Sequence, residues 1–291
     1  MAASDHIRNP IEWSADQIKN ASLAVAHAGQ HVRGDEVVRS TALPEVRRIT
    51  VADLKDVLAK GLDDFMAYRT DVIFVCLIYP IAGLILWRLA FGYEMVPLLF
   101  PLASGFALIG PAAAVGLYEI SRRHEQGLES TWADAFGVVR SPALGAMIVL
   151  ALILLGIFLL WLVVANTIYL ATLGPEAPAS LSSFFHDVFT AREGWALMII
   201  GVGVGFLFAL LVLMISVVSF PLLLDRDVGL WTAMATSIRA VVTNPVPMAA
   251  WGLIVALGLV LGSIPALLGL IIVLPVLGHA TWHLYRKVVV S

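Results

Sequence analysis

Between residues 72 and 285 the chain returns repeatedly to apolar runs long enough to cross a lipid bilayer, with almost no charge inside them. A hydrocarbon core of roughly 30 Å needs about 20 helical residues, because only a helix satisfies its own backbone hydrogen bonds in lipid. Six segments meet that length, near 72–91, 96–118, 143–171, 196–224, 246–262 and 265–285. The last two form one nearly unbroken run, which as a single helix would measure roughly 60 Å, twice the core thickness. Gly262, Ser263 and Pro265 supply a turn near its middle, so the run reads as two crossings. The expected fold is all-α, a polytopic bundle of six transmembrane helices. Its third and fourth spans are long enough to tilt or to project beyond the bilayer.

Composition closes off the soluble alternative. Sixty per cent of the residues are apolar and 13% charged, and the mean hydropathy is +0.91. Soluble domains carry about a quarter charged residues, and one core formed by 291 residues could not hide this much apolar surface. The single cysteine, Cys76, excludes an internal disulfide, a cysteine zinc site and an iron–sulfur cluster built by this chain alone. A net charge of −3 gives no reason to expect a nucleic-acid partner; the expected partner is the lipid bilayer.

Ahead of the spans stand two different stretches. Residues 1–45 form a polar tail that reads as mobile or partly helical, with a weak helical pattern over Ser14–Gly29 and no apolar core of a cleavable signal. Residues 46–71 are amphipathic: Val51, Leu54, Leu58, Leu62, Phe65 and Met66 recur at helical spacing, with Asp53, Lys55, Asp56, Lys60, Asp63 and Asp64 on the other side. Thr50 followed by Asp53 resembles a capping box. Such a helix next to a span is expected to lie in the membrane interface. The six-helix domain then occupies 72–287.

Lysine and arginine set the orientation. Sixteen of the 18 fall in the N-terminal 71 residues, the 119–142 and 225–245 connections and the C-terminus; only Arg88 and Arg192 fall on the other side. The basic face is the cytoplasmic one, so both termini are expected in the cytoplasm of a bacterial inner (plasma) membrane. Three stretches also share one plan, a mixed helix, a polar break and a pair of spans. Gly61-Leu62, Gly127-Leu128 and Gly229-Leu230 precede breaks at Arg69-Thr70-Asp71, Arg140-Ser141-Pro142 and Thr243-Asn244-Pro245. Either the bundle is a three-fold repeat of helical hairpins with cytoplasmic amphipathic helices, or interfacial helices simply share a composition.

The spans lack the carboxylates, lysines and histidines that pumps and ion-coupled transporters keep at mid-membrane depth. Ser104, Ser216 and Ser219 read as packing or self-bonding residues, and Gly201-Val-Gly203-Val-Gly205 as close helix packing. No GxSxG, HExxH, Walker or dinucleotide motif occurs. The polar interest gathers at the cytoplasmic span ends, a rim of Glu119, Arg122, Arg123, Asp225, Arg226, His279, His283 and Arg286. His279 and His283 stand four apart on one helical face. That spacing suits a metal or haem iron given a carboxylate such as Glu119 or Asp225, or equally an interfacial hydrogen-bond belt anchored by Trp282 and Tyr285. The belt is the leading reading. No cofactor and no catalytic residue is expected, and metal or haem at His279/His283 is the minority alternative.

Four runs carry a family resemblance: Arg48 through Phe65, Gly105 through Arg123, Pro221 through Arg226, and Gly278 through Arg286. Together they resemble the domain of unknown function 2189 family, integral membrane proteins of bacteria. The resemblance implies several helical spans and little about function, and His124 inherits no role from it. Members are sometimes labelled cytochrome c oxidase subunits, a label for which this chain lacks intramembrane histidines and any CxxCH. The expected function is a non-catalytic accessory or assembly partner of another inner-membrane complex, respiratory complexes included. The alternative is a transporter, channel or lipid-handling protein built on the Pro/Gly-broken spans.

Overall fold

The computed structural model describes residues 43–76, 96–128, 131–176, 178–265 and 267–290, with isolated positions between 81 and 88. Residues 1–42 of the expected 1–45 tail and most of the first expected span, 72–91, lie outside the described residues. Helix α1 is Asp53–Cys76, divided by non-helical geometry at Tyr68, which marks the end of the amphipathic half. Asp53 starts it by accepting hydrogen bonds from the Thr50 N–H and hydroxyl, both at 2.8 Å, the half of the capping box that the Thr-x-x-Asp pattern offers.

A short 3-10 turn at Val96–Leu98 leads into α2 (Leu99–Ala113), and α3 (Val115–Glu125) follows after a break at Ala114. Pro111 lies inside α2 and lacks the amide that would bond the previous turn. A 3-10 helix, Trp132–Arg140, precedes the long α4, Leu144–Thr172. Then come α5 (Leu181–Thr190), α6 (Arg192–Ser216), α7 (Ser219–Asp225), α8 (Leu230–Thr243), α9 (Pro245–Ser263) and α10 (Leu270–Val288). The fourth expected span is thus interrupted at Val217–Val218, ahead of Pro221, which stands in the first turn of α7 where a missing amide costs nothing.

Among the described residues, four helical stretches are long and apolar enough to cross a membrane: Val96–Ala113, Leu144–Thr172, Arg192–Asp225 and Pro245–Ser263. The sixth expected span corresponds to α10, which begins at Leu270 and turns polar from His279 onward, and it is not among the four. Large apolar side chains stand exposed along these walls, among them Leu159 and Val163 on α4, Ile199 and Phe206 on α6, and Leu253 and Val260 on α9. Between the walls, α2 and α4 are joined by Trp161 Nε1, which donates to Ser104 Oγ at 2.8 Å. Gly205 of α6 passes under the same indole, 3.1 Å from where its Cβ would be. Gly201 and Gly203, expected to pack a neighbouring helix, meet nothing within 4 Å.

At one end the bundle continues into a polar cap. Here the amphipathic half of α1 stands against α10. Lys287 reaches Asp53 and Asp56 at one end of the pair, and Gly61 meets Ala280 further along. The N-terminal segment pairs with the C-terminus through the Val46–Val289 bridge. Asn244, buried ahead of Pro245, clasps it by accepting from Ile49 N–H at 2.7 Å and donating to Arg47 O at 3.0 Å.

Candidate functional site

The cap's centre is made by three helices that approach closely because two of them lack a Cβ at the contact. A Cβ at Gly61 would lie 2.6 Å from the Ala280 backbone nitrogen, and one at Gly278 would strike the Leu117 side chain. Glycine at these two positions therefore lets α1 and α3 close on α10 from two sides. The closure brings residues distant in sequence onto one carboxylate, Asp64, which is 4% exposed.

Asp64 accepts from Ser121 Oγ of α3 at 2.5 Å, through the same oxygen, Oδ2, that lies 2.8 Å from His283 Nε2 of α10. Its other oxygen, Oδ1, lies 2.7 Å from His124 Nδ1. His279, fully buried, places Nδ1 2.8 Å from the Ser121 oxygen. Burial alone would push the Asp64 carboxyl up, but the hydrogen bonds from His283, Ser121 and His124 outweigh it and hold the group below the usual aspartate value of 3.8. Tyr68 closes the site from α1, its ring edge-on to His124 at 5.3 Å.

Serine, histidine and aspartate invite comparison with a hydrolytic triad, and the wiring excludes it. A triad passes the hydroxyl proton to a histidine whose second nitrogen is held by the carboxylate. Here Ser121 gives its proton directly to Asp64, so His279 Nδ1–H donates to the serine oxygen. His279 Nε2 is buried and makes no well-formed hydrogen bond. Ser121 and His279 are both fully buried, so no substrate carbonyl can reach the hydroxyl. His279 Nδ1 faces Ser121 and His283 Nε2 faces Asp64. Among the described residues no group of three His, Cys, Asp or Glu side chains is placed to hold a metal ion. What the arrangement can do is clamp α1, α3 and α10 together.

The predicted rim thus divides. His279 and His283 enter the clamp, whose carboxylate is Asp64 rather than Glu119 or Asp225. Glu119 turns to its own helix and binds Arg122 through two bonds of 2.8 Å. Arg123 pairs with Asp134 at 3.3 Å. Asp225 accepts from the Tyr285 hydroxyl at 2.6 Å and lies 3.5 Å from Arg286 and 3.8 Å from Arg226. Arg286 also donates to Glu125 at 3.1 Å, an acceptor it shares with the Trp282 indole. Arg226 reaches the Val290 carbonyl. Asp64, Ser121 and His124 were missed as site residues. The signals were the seat of Asp64 beside Gly61 and that of Ser121 within the Gly105–Arg123 run, with His124 directly after it.

Long apolar walls, spans whose described interiors are free of charge, and a clamped polar cap together define a polytopic integral membrane protein. Residues 99–225 match the model of the family described as predicted integral membrane protein (DUF2189), the family that the sequence resembles. That match runs from α2 to the end of α7, so it includes Ser121, His124 and Asp225. No curated protein and no solved structure matches the chain.

Proposed function

We propose that the protein is a non-catalytic inner-membrane protein that serves as an accessory or assembly partner of another membrane complex. In this reading six helices cross the bilayer, arranged as a three-fold repeat of hairpins, and the clamped cap with both termini faces the cytoplasm. The observation that carries it is the cap's wiring: Asp64, Ser121, His124, His283 and His279 Nδ1 bond one another and hold α1, α3 and α10 in place. The interiors of the four described spans hold no Asp, Glu, Lys, Arg or His, which fits a scaffold better than a pump. A shallow polar cleft lined by Asp56, Lys60, Glu125, His283, Arg286 and Lys287 opens beside the clamp and offers a partner charges of both signs.

Breaks at Ala114 and Val217–Val218 favour the alternative, a transporter, channel or lipid-handling protein. The second break is closed rather than open: Val217 and Val218 are buried, and Ser216 and Ser219 bond back to the carbonyls of Val212 and Ile215 at 2.6 Å. That is why the accessory reading leads. Purification in mild detergent followed by intact-complex mass measurement tests it. The expected result is a stoichiometric membrane-protein neighbour, lost when Glu125 and Lys287 are both replaced by alanine. Repeated recovery of the chain alone overturns it.

A further inference from the structure

The connection between α4 and α6 contains α5, at the end of the bundle away from the clamp. Its start is capped: Ser180 Oγ accepts from Ser183 N–H at 3.0 Å, and Ser183 Oγ returns a bond to the Ser180 carbonyl at 2.9 Å. Three contacts fix how it lies. The Phe184 ring sits 6.4 Å from Tyr169, in the last turn of α4. The helix packs on the 3-10 turn Val96–Leu98, where α2 begins. A Cβ at Gly194 in the first turn of α6 would collide with the Asp187 carbonyl, so the corner at Ala191 is closed tight. Touching the same-side ends of three elements, α5 runs across the end of the bundle rather than along it.

Its outward face is apolar. Phe185 and Phe189 are exposed and stacked at 6.3 Å, while His186, Asp187 and Thr190 stand exposed beside them. Trp195 Nε1 donates to the Phe189 carbonyl at 3.1 Å and carries the ridge round the corner. From there it continues down α6 through exposed Ile199, Val202 and Phe206, at the i, i+4, i+7, i+11 spacing of one helix face. The α6 part of this seam belongs to a span and faces acyl chains. An aromatic ridge continuous with it, turned into the plane and holding an indole at the corner, matches the boundary between acyl chains and headgroups.

We infer that α5 is an in-plane membrane helix, seated with Phe185, Phe189 and Trp195 in the acyl–headgroup boundary of the leaflet opposite the polar cap. The occupant of the ridge is lipid, since the ridge extends a lipid-facing wall without interruption and its exposed flank is polar. This rests on the spans and not on the accessory role, so either can fail alone.

The test uses the full chain in lipid nanodiscs with Cys76→Ala as background, so that each new cysteine carries the only nitroxide label. Phe185→Cys, Phe189→Cys and Asp187→Cys are compared by collision of the label with oxygen, which partitions into lipid, and with a water-soluble nickel chelate. The oxygen-to-nickel collision ratio is expected several-fold higher at 185 and 189 than at 187. Equal ratios at the three sites would mean that the ridge is in water and overturn the inference. Labels at 185 and 189 inaccessible to both agents would mean that protein covers the ridge, which overturns it equally. Circular dichroism of each labelled variant, unchanged from the background, keeps misfolding from imitating either result.

Discussion

The walls of α4, α6 and α9 and the junction of α1, α3 and α10 are both helix packed on helix, but different physics holds them. In the walls many large side chains stand largely clear of the protein; Ile199 is 70% exposed and Phe206 63%. Lipid is as apolar as these side chains, so little separates one aliphatic residue from another there. In the junction the contacts are specific: Gly61 lies on Ala280, Gly278 on Leu117, and Asp64 answers Ser121, His124 and His283. The walls state that the protein is in a membrane. Only the junction specifies which helices meet, and substitutions should separate the two regions by size of effect.

The largest effect is expected at Gly61. A side chain there must occupy space already filled by the backbone of α10 rather than by a movable tip. Gly61→Leu should cost about 3 kcal/mol by overpacking. The cost should appear locally as rapid tryptic cleavage at Lys55 and Lys60 once α1 leaves α10. Protection of those sites equal to the parent protein's would show that α1 does not depend on this contact. Asp64→Ala follows, at about 2–3 kcal/mol, because Ser121 and two histidines lose their acceptor in a buried place. Acid should imitate it. Folding lowers this carboxyl, so its contribution is in place above the unfolded value of 3.8 and is lost as pH falls through the lower folded value. Thermal melts of the parent in detergent should therefore converge on those of Asp64→Ala only in that acid range, and a difference that vanished already near pH 6 would put the pairing elsewhere.

Trp161→Phe is a smaller test, placed where a wall turns inward. The ring keeps most of its packing on Gly205 and Phe208, and only the bond to Ser104 is lost. About 1 kcal/mol is expected, read as a modest fall in Tm. A loss as large as that of Gly61→Leu would move the walls' interior into the same class as the junction.

How much of this was legible depends on whether a pattern names its partner. Apolar length placed α4 and α9 to within a residue or two, because lipid is the partner everywhere along a span. The start at Asp53 was legible for the same local reason, since the Thr50 cap acts within one turn; the break at Val217–Val218 was not, because 196–224 reads as one apolar run. The i, i+4 histidines were visible too. Their carboxylate was not, since Asp64 lies 219 positions from His283 and was indistinguishable from seven other charged residues on α1. The stripe on α1 showed that one face must be buried, yet a stripe does not say whether lipid or protein buries it. α5 escaped notice because ten residues are too few for a span, although Ser180, Ser183, Phe185 and Phe189 already stood at capping and helical spacing.

The smallest expected effect carries the sharpest consequence for the comparison. Replacing Ile199 by Leu and Val202 by Ile keeps the α6 surface apolar and close to its original size. Where lipid is the neighbour, the change should stay within about 0.5 kcal/mol, as for other surface positions without a named contact. The same pair of changes in a protein–protein groove would disturb a packed surface and cost about 1–3 kcal/mol. Gly201 and Gly203 lie between and beside these residues with nothing against them, so a companion helix seated there would register each added methyl. Equal Tm values for the double variant and the parent, in detergent and in nanodiscs alike, would leave α6 a lipid-facing wall. A loss confined to preparations that retain a bound neighbour would show instead that this part of the wall has a designated partner, as the junction does.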